Sequence, residues 1–271
     1  MLIATTTRLP TWTPRRHVAS RATATFKGLV GTVPHHNGYL LLHHPSPPSE
    51  YPPRFDSALH KTLQARVTRW RTLVNFSWQA DRSLAVGSTS TQGSYDEEGY
   101  PATLYTAMGT RVDIPRLSAS NIDDVEKMLK PHLDVSMEGS EATITDQEIS
   151  LFVCTHGSRD CRCGNAGPAV VKTLKDEICK RSVSLSVSDP RRRVLERIII
   201  GEVGHVGGHK YAANVLVFPR GDWLGYVTPE IIPALLDGII ANSALHTMPI
   251  ISEHWRGRMG LAKEEQVAAY K

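Results

Sequence analysis

The chain of 271 residues has no run of about 18 consecutive apolar residues, so no bilayer-crossing helix is expected. It has four cysteines, too few for a disulfide scaffold at this length. No C-x-x-C pair of the kind used by thiol–disulfide enzymes is present. No nucleotide-binding glycine fingerprint is found, which argues against a nicotinamide or flavin site within this chain. Nothing pairs carboxylates in the way sugar hydrolysis requires. Acid is missing from the start: Glu50 is the first acidic residue, whereas Arg8, Arg15, Arg16, Arg21 and Lys27 precede it. Those cations exceed the whole net charge of +4, so the rest of the chain is near neutral and offers no general electrostatic footprint for nucleic acid.

The acid-free segment from Met1 to about Thr25 is rich in Thr, Arg, Ser and Ala and lacks a long apolar stretch. That composition predicts a mitochondrial transit peptide over residues 1–25, processed between about Arg16 and Phe26, with a disordered basic tail as the alternative. Pro10 and Pro14 interrupt any single helix there.

The remainder reads as two α/β halves. In residues 26–140, Gly38–His43 and Thr72–Trp78 are strand-like, and Phe55, Leu59, Leu63 and Val67 recur at helical spacing. A polar loop from Gln79 to Gly99 follows, then a strand region from Ala102 to Ile114 ending at Pro115. Ser120-Asn121 caps a helix carrying Ile122, Val125, Met128 and Leu129. The paired histidines His35-His36 and His43-His44 have no thiol or carboxylate beside them and read as solvated rather than metal-binding. Turn-rich Asp134 to Thr145 is the expected junction with a second half, residues 141–271.

That half repeats the strand, helix, strand order. Ile149–Val153 and Ile198–Val203 are strands, and Gly167-Pro168 is expected to open the helix between them, since proline suits the first helical position. Cys179 lies beside that helix's apolar stripe and reads as a small buried hydrophobe. Arg191 to Arg193 read as a solvated loop, with a patch for an acidic partner as the alternative. A hairpin turning at Arg220-Gly221-Asp222 and a helix after Pro229 complete the thioredoxin order, which does not by itself establish function.

Chemistry concentrates where the two strands end. C-T-H-G-S-R-D-C-R-C-G runs from Cys154 to Gly164, and G-H-V-G-G-H-K-Y from Gly204 to Tyr211. Thiolate and imidazole delivered from neighbouring strand ends suit a soft transition-metal site. Gly207 and Gly208 take the histidines off any regular helix, and Val206 stands where a metalloprotease would carry its glutamate. Arg159 and Asp160 are expected to brace the cysteine loop, and Trp223 and Trp255 to form core or cover. On the residues alone, structural zinc held by Cys161, Cys163, His205 and His209 stands level with iron.

These stretches, with V-L-V-F-P-R-G-D-W-L-G and the terminal His254-Trp255-Arg256-Gly257-Arg258, resemble the sucrase/ferredoxin-like family, and within it the fungal altered inheritance of mitochondria group. The resemblance runs from about Gly31 to Arg258 and implies a C-terminal thioredoxin-like ferredoxin domain with a 2Fe-2S cluster. By position it implies Cys154, Cys163, His205 and His209 as ligands, with Cys161 as the alternative cysteine. Two ferric ions, two sulfides, two thiolates and two neutral imidazoles sum to zero charge, so the potential is expected above that of an all-cysteine ferredoxin. The implied role is one-electron transfer or redox sensing in mitochondria, linked to thiol homeostasis, with a redox protein as partner. The rivals are the zinc site, a thiol–disulfide oxidoreductase on a thioredoxin-like scaffold, and a non-enzymatic adaptor.

Overall fold

The computed structural model describes residues 28–80, 97–134, 147–241 and 249–270. The expected leader over 1–25, residues 81–96 of the polar loop and residues 135–145 of the expected junction lie outside them.

Continuous apolar runs become interior strands. Strand β1 (Gly38–His43) is buried along its whole length and pairs in parallel with β2 (Thr72–Trp78). Helix α1 (Ala58–Val67) makes the crossover; the Ser57 side chain caps it, and Leu59, Leu63 and Val67 form its buried stripe. Strand β3 (Gly99–Thr106) returns antiparallel beside β1 and turns into β4 (Arg111–Ser118), followed by α2 (Ile122–Leu133). The region expected as one strand ending at Pro115 is therefore a hairpin. Pro115 is tolerated inside β4 because that strand lies at the edge of the sheet.

The second half follows the same plan. Strand β5 (Ile149–Cys154), α3 (Cys161–Ser184), α4 (Pro190–Glu196) and β6 (Ile198–Val203) form the parallel unit. Strands β7 (Val215–Phe218) and β8 (Asp222–Leu224) and helix α5 (Ile232–Ala241) follow. Strand β9 (Trp255–Arg258) then extends the edge beyond β8, and α6 (Lys263–Ala269) closes the described chain. The architecture is mixed α/β, and the strand order β6-β5-β7-β8 is the thioredoxin order. The first half has the equivalent order β2-β1-β3-β4, so one nine-stranded sheet contains the plan twice.

The equivalent strands β2 and β6 meet antiparallel over two residue pairs, Ser77 with Val203 and Trp78 with Glu202. Each half packs its helices on one face of its own strands. A third cluster joins both halves: Tyr39, Leu41 and Tyr105 meet Phe152, Phe218 and Trp223. Tyr105 lies nearly flat on Phe218 at 4.2 Å between ring centres, although four strands separate β3 from β7 in the sheet order. The sheet must therefore curl until this face closes on itself. Full burial of each such aromatic stabilises by about 2–3 kcal/mol, enough to hold the halves together across a short seam.

Several local expectations are corrected. Helix α3 begins at Cys161 rather than at Gly167-Pro168, because Asp160 caps it, and Pro168 lies within it. Arg191 to Arg193 belong to α4, started by Asp189 and Pro190. Cys179 is exposed, on the outer side of its helix. His36 and His43 are buried: His43 bonds to Ser77 Oγ (2.9 Å) and Thr103 Oγ1 (2.8 Å), and His36 packs edge-on to Trp223.

Candidate metal centre

Strand β5 lies inside the sheet and delivers Cys154, fully buried, at its end. The chain then turns through residues 155–160. Thr155 Oγ1 donates to Glu202 (2.7 Å), the His156 ring meets the Pro52 carbonyl oxygen (2.9 Å), and Ser158 bonds to the Tyr51 carbonyl. Asp160 ends the turn. Its carboxylate accepts from the Arg162 backbone N–H (3.0 Å) and from the Arg162 side chain (2.9 Å), which holds its pKa well below the usual carboxylate range. With α3 started there, its first turn points Cys163 inward, where it is fully buried, and leaves Cys161 exposed. Gly167 lets this helix lie directly against the end of β5, since a Cβ there would collide with the Cys154 carbonyl oxygen.

Strand β6 delivers the second loop. Gly208 is left-handed (φ 68°), and a Cβ on it would come within 2.5 Å of the Arg256 guanidinium. Arg256 is 2 % exposed, and its side-chain hydrogen-bond acceptors among the described residues are all neutral. It donates to Asn214 Oδ1 (2.7 Å), Thr32 Oγ1 (3.1 Å), the Thr32 carbonyl (3.2 Å) and the Gly207 carbonyl (3.3 Å), and it lies over the rings of Tyr211 and Trp223. Burial pulls its pKa down to about 10. A guanidinium can meet several acceptors at once because its five donors form a rigid fork. The histidine turn thus rests on a buried cation, a role that the sequence reading missed. No local signal marks it, since Arg256 stands in the polar stretch Ser252-Glu253-His254-Trp255-Arg256-Gly257-Arg258.

The two loops bring three donors together. One ligand atom each from Cys154, Cys163 and His205 lies within 4.8 Å of the others. The two thiols share a hydrogen bond. That bond, then the backbone N–H groups of Val206 and His156, push the Cys154 pKa down against its burial. The same pairing with Cys154, followed by burial, pushes the Cys163 thiol up. Cys154 is therefore the thiol that ionises first. His205 Nδ1 is buried without a hydrogen-bond partner among the described residues. His209 is not one of the close trio. Its ring lies 5.5 Å from that of His205, and its Nδ1 is 3.6 Å from Asp160. Cys161 is likewise outside the trio.

Two thiols and an imidazole with an unused buried nitrogen, a second imidazole alongside and N–H groups aimed at sulfur form a donor set suited to a soft metal or an iron–sulfur group. The free-thiol alternative lacks its motif: Cys154 and Cys163 face one another, but no C-x-x-C places either at an exposed helix start.

One family of known proteins matches most of this architecture. The family described as sucrase/ferredoxin-like matches residues 29–257. Actin patches distal protein 1 of Saccharomyces cerevisiae is 34% identical over 131 residues, covering 47% of this chain and 38% of that protein. Altered inheritance of mitochondria protein 32 of Meyerozyma guilliermondii is 35% identical over 125 residues, covering 45% of this chain and 38% of its own. The matched part thus spans less than two-fifths of either relative. Among solved structures, a thioredoxin-like 2Fe-2S ferredoxin from Aquifex aeolicus overlaps 41% of this chain and 99% of its own, at 15% identity and a TM-score of 0.31.

Proposed function

The chain belongs to the sucrase/ferredoxin-like family, and from that premise we propose that it is a mitochondrial 2Fe-2S protein acting in one-electron transfer or redox sensing. Cys154, Cys163, His205 and His209 hold the cluster in this reading, within an iron–sulfur domain over residues 141–271. The observation that carries it is the convergence of Cys154, Cys163 and His205 from two loops of a mostly buried site, with His209 beside His205. The mitochondrial assignment rests on the acid-free, arginine-containing start of the chain and on the names of its relatives.

When bound, the cluster supplies a one-electron couple whose potential follows its ligands, their hydrogen bonds and its burial. The chain's own residues supply the rest. Cys154 is poised to give up its proton because the Cys163 thiol, and then the Val206 and His156 N–H groups, donate towards its sulfur. Cys163 loses its proton only when a cation replaces it, so loading the site releases protons. Arg256 holds the Gly207-Gly208 turn and places a buried positive charge behind it, which favours added negative charge. Asp160 fixes the start of α3 and stands near His209 as a partner for its ring.

Replacing Cys154, Cys163, His205 and His209 one at a time, with Cys161→Ser as the control, tests the assignment through the visible spectrum after anaerobic purification. Each of the four substitutions is expected to abolish or shift the iron–sulfur bands, whereas Cys161→Ser leaves them unchanged. Wild-type spectra from both histidine variants would defeat the ligand set, and a colourless wild-type protein carrying zinc would establish the rival metal.

A further inference from the structure

The candidate metal centre meets solvent through its histidines. Cys154 and Cys163 are fully buried, whereas the His209 side chain is 48 % exposed. Of the four residues assigned to the cluster, the imidazole pair is therefore the part a partner can approach. A Cβ on Gly207 would meet nothing within 4 Å, so the turn between the two histidines leaves room for a close approach.

Charge borders that edge unevenly. Lys210 follows His209 and is exposed, its ammonium over the Tyr211 ring at 4.8 Å. Arg162 is exposed in the first turn of α3, bonded to the same Asp160 carboxylate that lies 3.6 Å from His209 Nδ1. Arg159, just before Asp160, is exposed and reaches the Pro53 carbonyl oxygen (3.5 Å), next to the exposed Arg54. Arg54 and Arg159 line a cleft that runs to His205. The acids nearby are engaged: Asp160 holds Arg162, Glu202 accepts from Thr155 Oγ1, and Asp56 pairs with Lys61. Arg54, Arg159 and Lys210 make no ion pair among the described residues. Elsewhere on the surface Arg66, Arg69, Lys172, Arg181, Arg191 and Arg192 each meet a carboxylate. Cations left without counter-charge around one exposed edge steer an anionic surface onto it. A bilayer would find no anchor there, because the most exposed large apolar residues, Val183 and Val187, lie at and just past the far end of α3.

We propose that this face docks an acidic electron-transfer protein, whose carboxylates meet Arg54, Arg159, Arg162 and Lys210 and bring its redox group over His209. The proposal rests on the 2Fe-2S reading and adds to it the chemistry of the partner. One electron passes between the two centres, one oxidised as the other is reduced, and no bond forms or breaks between the proteins.

The test is calorimetric titration of the full chain, purified without oxygen, with two one-electron haem carriers of similar size. The acidic one is the soluble domain of cytochrome b5, and the basic one is cytochrome c. Iron and sulfide are assayed first on the same sample, so the cluster reading and the docking proposal fail separately. At about 0.01 M ionic strength the acidic carrier should bind saturably, at least about tenfold more tightly than the basic one and about tenfold more tightly than at about 0.15 M. Arg54→Glu/Lys210→Glu should weaken that binding by about tenfold, with metal content unchanged. Lys130→Glu/Lys175→Glu makes the same change of charge on α2 and farther along α3, and should alter affinity by less than about twofold. Cytochrome c binding as tightly, equal losses in the two double variants, or no saturable binding of cytochrome b5 would overturn the proposal. So would phosphatidylserine vesicles that displace cytochrome b5 and lose their own binding in the Arg54→Glu/Lys210→Glu variant, which would assign the face to a membrane.

Discussion

Arg256→Met is the most informative single change to the scaffold, because it keeps the aliphatic stem over Tyr211 and Trp223 while deleting the fork. Two of the hydrogen bonds lost are short, to Asn214 Oδ1 at 2.7 Å and Thr32 Oγ1 at 3.1 Å. Two are longer, to the Thr32 carbonyl at 3.2 Å and the Gly207 carbonyl at 3.3 Å. Stranding buried acceptors costs about 1–3 kcal/mol each, but removing a cation that burial disfavours returns part of that. The net expectation is about 2–3 kcal/mol of lost stability, read as a lower urea midpoint at unchanged slope. Arg256→Lys keeps the charge but reaches fewer acceptors and should lose about 1–2 kcal/mol. The Gly207-Gly208 turn also loses its anchor, so any bound metal should escape to a chelator faster in both variants, and faster in Met than in Lys. A Met variant that unfolds at the wild-type urea concentration and holds metal equally long would refute the reasoning.

Three further outcomes follow from the packing. Gly167→Ala drives a methyl group into the Cys154 carbonyl and should cost about 1–3 kcal/mol and most of the bound metal; normal melting with full metal content would show that α3 can shift freely. Asp222→Asn removes the buried carboxylate that accepts from Arg258 (2.7 Å), Arg220 (2.9 Å) and the Trp255 indole (2.8 Å), and should lower stability by about 3 kcal/mol in urea unfolding; a change under about 1 kcal/mol would mean that the cations find other partners. His36 is pulled down by burial from 6.5 to about 4, so the unfolded chain binds the extra proton first as pH falls. Its contribution is complete above pH 6.5 and is lost towards pH 4, up to about 3 kcal/mol, and His36→Gln should flatten that part of the stability curve.

Much of this architecture was legible because the strands of a buried sheet announce themselves. Leu40 to Leu42 and Leu151 to Val153 have no polar alternation, as strands covered on both faces should not. Leu59, Leu63 and Val67 on α1 and the stripe on α2 were visible by period alone. Pro168 looks like a first helical residue, but Asp160, just before Cys161, is the stronger capping signal and sets the start of α3. Asp189-Pro190 was a helix opening overshadowed by three arginines. The burial of His36 and His43, the contact of Tyr105 with Phe218 and the cleft beside His205 depend on the sheet curling across both halves, and no local pattern encodes that. At the site, the donor types and loop positions were readable, whereas the inward turn of Cys163 and outward turn of Cys161 required the helix phase. Arg256 was hidden because its partners, Thr32, Gly207 and Asn214, are scattered along the chain.

Iron and acid-labile sulfide, assayed together on the full chain purified without oxygen, test the central assignment most directly. The account predicts about two of each per chain, in a coloured protein that takes up one electron. Stoichiometric zinc without sulfide in a colourless protein would contradict it.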